Sequence, residues 1–199
     1  MSSAPRGRPR GFDADEALER AIVVFWERGY DGASLTDLTE AMGIARKSMY
    51  AAFGNKEDLF LRAVARYAEG PGGYLARALE APDAREVARR FLVGAAHAAT
   101  RPGHPTGCLG VRSALSVTGA GEAARDTLAQ WRSQGQESLE RCFREALAAG
   151  DLPSDAQPDL ITRYLLTVAN GMTVQAMSGA TREDLVRVAD AALRHWPPG

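Results

Sequence analysis

Four polar side chains suited to hydrogen bonding with nucleic acid stand close together near residue 48. Arg46, Lys47, Ser48 and Tyr50 supply a guanidinium, an ammonium and two hydroxyl groups. An arginine can donate two hydrogen bonds to one guanine, and the two alanines that follow Tyr50 would let a helix approach a DNA groove closely. These residue types indicate a helix that contacts base edges and phosphates of double-stranded DNA. The alternative interpretation is a solvated helix face that carries two ordinary cations.

The preceding segment predicts the element that holds this helix in place. Ser34 and Asp37 have the spacing of an N-terminal capping box, with Asp in place of the more usual Glu. Apolar residues then recur on one helical face, at Leu35, Leu38 and Met42. Gly43 follows where a left-handed backbone ends a helix at the lowest cost, and a second helix restarts near Ala45. Two short helices joined by a tight turn predict a helix-turn-helix.

A longer pattern around this motif, from residue 12 to 64, resembles the N-terminal domain of TetR-family transcriptional regulators. It comprises Phe25, Gly29 and Tyr30, the sequence SLTDL, the Gly43-Ile44 turn, and then Tyr50, Phe53, Lys56, Leu59 and Phe60. Farther along, Gly107-Cys108-Leu109 and DLPSDAQPDL (151–160) are similar to one subgroup of that family. The resemblance implies an all-α protein in which a three-helix DNA-binding domain precedes a helical domain for ligand binding and dimerisation.

The same resemblance implies DNA contacts for Thr36, Arg46, Lys47, Ser48, Tyr50 and Lys56. The residues at the start of the second helix of the motif would contact base edges, and the other three would contact phosphates. Two positions depart from the family pattern. Ala45 stands where many members have a capping Ser, Thr or Asn, whose loss costs about 0.5–2 kcal/mol. Lys47 stands where Gly or Pro is common.

Residues 1–11 form a basic arm with Arg6, Arg8 and Arg10 among Gly and Pro. Such a segment cannot bury a core, so we expect it to be disordered when free. Basic N-terminal arms enter an adjacent minor groove or follow phosphates in other helix-turn-helix proteins, which predicts a DNA contact here. A solvated tail without a role is the alternative. No apolar run follows the charges, so the arm does not have the pattern of a signal peptide.

The charge balance is less informative than the placement of the charges. The chain has 199 residues, 45% of them hydrophobic, and a net charge of −1. Residues 1–62 contain nine Lys or Arg and ten Asp or Glu, so this part is not basic in bulk. Residues 42–56, however, contain three cations and no acid. Two distant cysteines and the absence of a long apolar run predict a cytoplasmic protein that does not span a membrane.

The remaining sequence predicts helices and no strands. We expect helices over 56–69, 74–80, 83–100, 108–118 and 122–149, another beginning at Pro158, and a last one from Thr181 to the residue before Pro197. The predicted domains are the arm (1–11), the DNA-binding domain (12–55) and a regulatory and dimerisation domain (56–199).

The last two helices carry wide apolar stripes. The resemblance implies that they form a four-helix bundle between two subunits, and it predicts an interface of Ile161, Leu165, Val168, Met172, Leu185, Val188 and Leu193. Packing within the core of one subunit is the alternative. A helix-turn-helix homodimer recognises two half-sites of a palindromic operator related by a two-fold axis.

The resemblance also implies a cavity for a small-molecule effector in the C-terminal domain. Aromatic or polarisable residues on its predicted helices are candidates for the lining: Tyr67, Phe91, Cys108 and Trp131. Ordinary core packing is the alternative for each. The identity of the effector does not follow from these residues, and no cofactor is expected.

Other functions find less support in the residues. His97, His104 and Cys108 could be ligands of a transition metal, and Cys108 alone could be a thiol sensor. A helical enzyme would need a nucleophile paired with a base, and three scattered histidines with Ser113 or Ser116 form no such set. We therefore expect a ligand-responsive transcriptional regulator, most simply a repressor, rather than an enzyme.

Overall fold

Ten α-helices make up most of the two stretches that the computed structural model describes, residues 12–115 and 122–197. They are α1 (Ala14–Gly32), α2 (Leu35–Met42), α3 (Arg46–Phe53), α4 (Lys56–Glu69), α5 (Tyr74–Leu79), α6 (Ala84–Ala99), α7 (Leu109–Leu115), α8 (Glu122–Ala148), α9 (Pro158–Met177) and α10 (Arg182–Ala192). No strand occurs in these stretches, and the predicted all-α class is confirmed. None of these helices is both long and apolar enough to cross a bilayer. The arm, with Arg6, Arg8 and Arg10, lies outside the described residues.

Local capping explains why the helices begin where the sequence predicts. The side chains of Ser34 and Asp37 exchange hydrogen bonds with each other's backbone N–H at the start of α2. Asn55 opens α4 and Thr181 opens α10 with the same reciprocal arrangement. Each box provides hydrogen-bond acceptors for backbone N–H groups that have no partner inside the helix. Because a box spans only four residues, the sequence alone can predict where such a helix begins.

A first hydrophobic cluster joins α1 to α4. Its largest fully buried side chains include Trp26, Phe25, Phe60, Tyr67, Leu38 and Met49. The cluster also includes Leu109 of α7 and Leu128 of α8, which are 1% and 3% exposed. Residues far along the chain therefore complete the core of the helix-turn-helix region.

A second cluster lies between α5, α6, α9, α10 and the later part of α8. Five residues expected at a dimer interface belong to it, each at most 4% exposed within one subunit: Ile161, Leu165, Met172, Leu185 and Leu193. Within one subunit, α6 and α8 already cover this part of the apolar stripe, so these five side chains have almost no surface left for a partner. Val168, another of the seven residues predicted for the interface, is half-buried against the same cluster. Val188 is the one of the seven that is exposed, at 44%.

The end of the last helix also differs from the expectation. α10 stops at Ala192 rather than continuing to the residue before Pro197. Trp196 beyond it packs its ring 5.8 Å from that of Phe143 on α8. The apolar residues that suggested a longer helix belong to this packing.

Candidate DNA-binding surface and effector cavity

Gly43 makes the turn between α2 and α3. Its backbone has φ 67° and ψ 29°, the left-handed region that glycine adopts without a Cβ clash. The N–H of Gly43 donates to the carbonyl of Glu40, and that of Ile44 to Thr39, both at 3.1 Å. Ala45 then leads into α3 without a side-chain cap, as its methyl group dictates.

The buried face of α3 fixes which side chains point outward. Met49 and Phe53 are 0% and 3% exposed in the first cluster. Arg46, Lys47 and Tyr50 are exposed on the remaining surface, and Ser48 is half-buried. Tyr50 leaves 46% of its surface exposed, so its hydroxyl is accessible to a partner.

An ion pair fixes α2 against α1. Asp37, the capping residue of α2, lies 2.6 Å from Arg28 of α1. Hydrogen bonds from Ser34, and then the Arg28 guanidinium, hold the pKa of the Asp37 carboxyl below its usual range. Thr36, one residue earlier, is exposed near the N-terminus of the same helix. The ion pair therefore holds the N-terminus of α2 against α1.

The start of α4 adds a cation next to the motif. The ammonium of Lys56 lies 4.5 Å from the centroid of the Tyr30 ring, a cation–π contact. Burial lowers the pKa of Lys56, and Asp31 partly opposes this shift. Sequence reasoning missed Arg62, which donates from Nη1 to the Ala52 carbonyl at 3.1 Å and so ties the end of α3 to α4. Ten residues separate the two, beyond the reach of a helical periodicity signal.

A cavity of about 680 Å³ lies among α5, α6, α7, α8 and α9. Phe91, Cys108 and Trp131 line it, as does Tyr74, which the sequence did not single out. α8 and α9 add a polar side that was also missed: Arg132, Gln134, Arg163 and Asn170. The volume is that of a small-molecule site, and its lining combines aromatic and polar groups.

Tyr67 does not line this cavity, contrary to the expectation. Its ring packs in the first cluster, 4.9 Å from the Trp26 ring and 6.2 Å from the Trp131 ring between centroids. Its hydroxyl is buried beside the Cys108 thiol. Burial first, and then the nearby Cys108 thiol, raise the pKa of Tyr67 well above its usual value. Tyr67 therefore forms the layer directly behind the cavity wall.

The short helix α7 connects the cavity with the DNA-binding region. Gly110 lies so close to Trp131 that a Cβ there would stand 2.5 Å from the indole ring. Two residues on, Nη1 of Arg112 donates to the backbone carbonyl of Glu27 in α1 at 2.8 Å. One helical turn thus contacts both the cavity and the helix on which α2 packs.

The three candidate metal ligands do not converge. His104 lies in a loop with its ring 6.0 Å from that of Trp26, whereas Cys108 lines the cavity and His97 lines a separate groove on α6. Over the described stretches, no three His, Cys, Asp or Glu side chains are grouped as metal ligands would be. Both cysteines are free thiols.

Comparison with known proteins identifies this architecture. Residues 17–63 match the family model described as "Bacterial regulatory proteins, tetR family", and residues 84–192 match "Tetracyclin repressor-like, C-terminal domain". The chain belongs to the TetR family. It is a transcriptional regulator by descent, as its relatives are transcriptional regulators.

Individual relatives extend along nearly the whole chain. The transcriptional repressor ComR of Escherichia coli K12 is 29% identical over 96% of this chain and 92% of its own. The regulator YezE of Bacillus subtilis 168 is 34% identical over 94% and 97%. A cysteine mutant of the TetR-family regulator CifR, solved on a 26-bp double-strand operator, is 44% identical, with a TM-score of 0.89 over 96% of this chain and 100% of that one.

Proposed function

We propose that this TetR-family regulator is a repressor that binds a palindromic operator as a homodimer and leaves it when a small molecule occupies the cavity. The observation that carries the proposal is the outward face of α3, where Arg46, Lys47 and Tyr50 are exposed while Met49 and Phe53 hold the helix from behind. A duplex of 26 bp, the length bound by the CifR mutant, has room for two half-sites one helical turn apart, about 10 bp. Such a protein acts where the chromosome is, in the cytoplasm.

The surface left for a dimer partner is narrower than the apolar stripes of α9 and α10. Leu160 and Val174 on α9, and Val188 on α10, are 40%, 41% and 44% exposed. Gly171 lies between the first two on the same exposed face, and a Cβ there would meet nothing within 4 Å. A small residue beside apolar side chains lets two helices approach closely. We therefore assign the two-fold interface to Leu160, Gly171, Val174 and Val188.

The cavity supports release by an effector with an apolar body and a polar group. Phe91, Tyr74 and Trp131 supply aromatic surface, and Arg163 and Asn170 supply hydrogen-bond donors. A ligand that displaces Trp131 presses on Gly110, and the movement reaches α1 through Arg112. Movement of α1 and α2 in each subunit changes the separation of the two α3 helices, which must match one DNA turn, about 34 Å.

Operator binding is tested first. Selection of bound duplexes from a random pool should return a palindrome, and the affinity for it should exceed that for unrelated DNA by about a thousandfold or more at physiological salt. A protein that enriches no sequence contradicts the proposal.

The effector cavity is tested by filling it chemically. Cys108 lines the cavity, whereas burial, Glu145 and Asp151 raise the pKa of Cys142 and make that thiol less reactive. N-ethylmaleimide attached to Cys108 should lower operator affinity without loss of helical content, and the Cys108→Ser variant should retain its affinity after the same treatment. If the modified protein binds the operator with unchanged affinity, the effector site is not this cavity.

A further inference from the structure

A second groove, about 650 Å³ in volume, lies on the outer side of α6, separated from the effector cavity by Tyr74. Six potential cations line it: Arg77, Arg89, Arg90, His97, Arg101 and Arg182. Glu80 is its one acidic lining residue. This concentration of positive charge is unexpected in a chain whose net charge is −1.

Internal ion pairs do not neutralise the groove. Glu86 pairs with both Arg89 and Arg90, so one carboxylate serves two guanidinium groups. None of the ion pairs between described residues involves Arg77, Arg101 or Arg182. A bound anion could therefore pair with arginines that no carboxylate of the described residues neutralises.

One of the arginines is already held in position. Arg182 donates from Nε to the hydroxyl of Thr100 at 3.2 Å and from Nη2 to the Thr100 carbonyl at 3.1 Å. Both acceptors are neutral, so they orient the guanidinium at the rim without cancelling its charge. Thr100 occupies the Nε/Nη2 edge of the guanidinium, so the Nη1/Nη2 edge is the one that can donate to phosphate oxygens.

The cations are spread along the groove rather than gathered at one point. Arg90 and His97 are two helical turns apart on α6, about 10 Å. Arg101 continues the row beyond the end of the helix, and Arg77 faces it from α5. A single phosphate cannot reach all of them, whereas two or three linked phosphate groups can.

We propose that this groove binds a small anion that carries linked phosphate groups, as free pyrophosphate or as the diphosphate of a nucleotide. Gly70 and Pro71, at the break between α4 and α5, also line the groove. A bound anion would therefore connect that break to α6 and α10. It gives the regulator a second binding site, independent of the cavity that Cys108 lines.

Titration of the full-length protein with inorganic pyrophosphate at constant ionic strength tests this, with calorimetry and thermal unfolding as readouts. We expect one site per subunit and a rise in Tm of at least about 2 °C at saturation. The double variant Arg90→Gln with Arg101→Gln should bind about 10-fold or more weakly, because each lost charge-assisted hydrogen bond weakens binding. Glu80→Gln removes the opposing charge and should tighten binding.

Matched controls separate the groove from general charge effects. Arg85 is exposed on the same helix outside the groove, and Arg85→Gln should bind pyrophosphate like the unaltered protein. Arg46→Ala with Lys47→Ala excludes binding at the DNA-binding surface. Unchanged affinity in the groove variant, or an equal loss in either control, overturns the proposal. If ADP binds more tightly than pyrophosphate, the site is one for a nucleotide. If the two bind equally, the groove recognises the phosphate groups alone.

Discussion

We propose that individual side chains on α3 and α4 contribute differently to DNA binding, some to sequence recognition and others to overall affinity. Arg46 is exposed at the first position of α3, where a side chain reaches base edges. Tyr50 and Lys56 flank it, and the cation–π contact with Tyr30 holds Lys56 near the surface of the motif. These positions lead to different expected effects of substitution.

Arg46→Ala should change the sequence preference, because loss of a bidentate contact to guanine costs about 1–3 kcal/mol at one base position. Tyr50→Phe and Lys56→Ala should instead weaken binding to all duplexes alike. Selection from random duplexes followed by affinity measurements compares the three variants. An unchanged profile for the Arg46 variant would remove its assignment to base contacts.

Deletion of residues 1–10 tests the three arginines of the arm. Each phosphate contact releases counterions and contributes about 0.9 to the slope of log affinity against log salt. We expect the shortened protein to fold and dimerise normally, with a slope reduced by one to three such contributions. Equal slopes for the two proteins would make the arm a passive tail.

At the scale of the elements, capping contributes to the stability of individual helices. α2, α4 and α10 each begin with a reciprocal capping box, but the N-cap residue of α3, Ala45, provides no side-chain cap. The Ala45 backbone, at φ −67° and ψ 149°, has the extended geometry that a capping residue requires.

Ala45→Ser should therefore raise the free energy of unfolding by about 0.5–2 kcal/mol. The serine hydroxyl would accept a hydrogen bond from one of the first N–H groups of α3. Urea unfolding at fixed protein concentration should show a higher midpoint with an unchanged slope. Ser34→Ala, which removes an existing cap, is the matched control and should lower the midpoint. A lower midpoint for Ala45→Ser would mean that the turn does not accept a hydroxyl.

Helix α7 should carry the coupling between effector and operator. Arg112→Met keeps the aliphatic part of the side chain and removes the donor to the Glu27 carbonyl. We expect the variant to bind the operator but to lose most of its response to modification of Cys108. Allosteric coupling in proteins typically changes affinity by about 5–150-fold, and we expect the change in the variant to approach none. Arg125→Met, at an exposed position on α8, should respond normally. An undiminished response in the Arg112 variant would assign the coupling to another helix.

Sequence patterns predicted the elements well because their signals are local. The box at Ser34 and Asp37 and the glycine at position 43 each act over a few residues, and the structure confirms the helix boundaries that they predict. The contact of Arg112 with Glu27 spans 85 residues, so no periodicity could reveal it. Tyr67 failed as a cavity residue for the same reason, since an aromatic residue at a buried position gives no indication of which neighbour it faces.

At the scale of the whole molecule, the same limitation affected the dimer interface. Periodicity showed that α9 and α10 have apolar faces, but it could not show that α6 and α8 cover most of them. Ile161 and Leu165 are fully buried in one subunit, while Val174 and Val188 remain exposed. Substitutions at Val174 and Val188 therefore test where the dimer interface lies.

Val174→Glu combined with Val188→Glu should separate the dimer, because each interface would bury four charges without partners. The monomer should keep its helical content, since both side chains are exposed in the subunit, yet lose affinity for the full operator. Light scattering and DNA binding on the same sample measure both properties. Ala129→Glu, on the exposed side of α8, is the control and should remain dimeric. A dimer that survives the double substitution would move the interface to another surface.

The first hydrophobic cluster contains residues from distant parts of the chain, which limits how its DNA-binding region can be exchanged between regulators. Leu109 and Leu128 fill the core behind α1 and α4, although they come from the C-terminal half. A hybrid that joins residues 1–55 to the ligand-binding half of another regulator would leave the graft without these side chains, and each lost leucine costs about 2–5 kcal/mol. A functional chimera would need to transplant α4, α7 and the first turns of α8 along with the helix-turn-helix, or reproduce their packing surface in the new host.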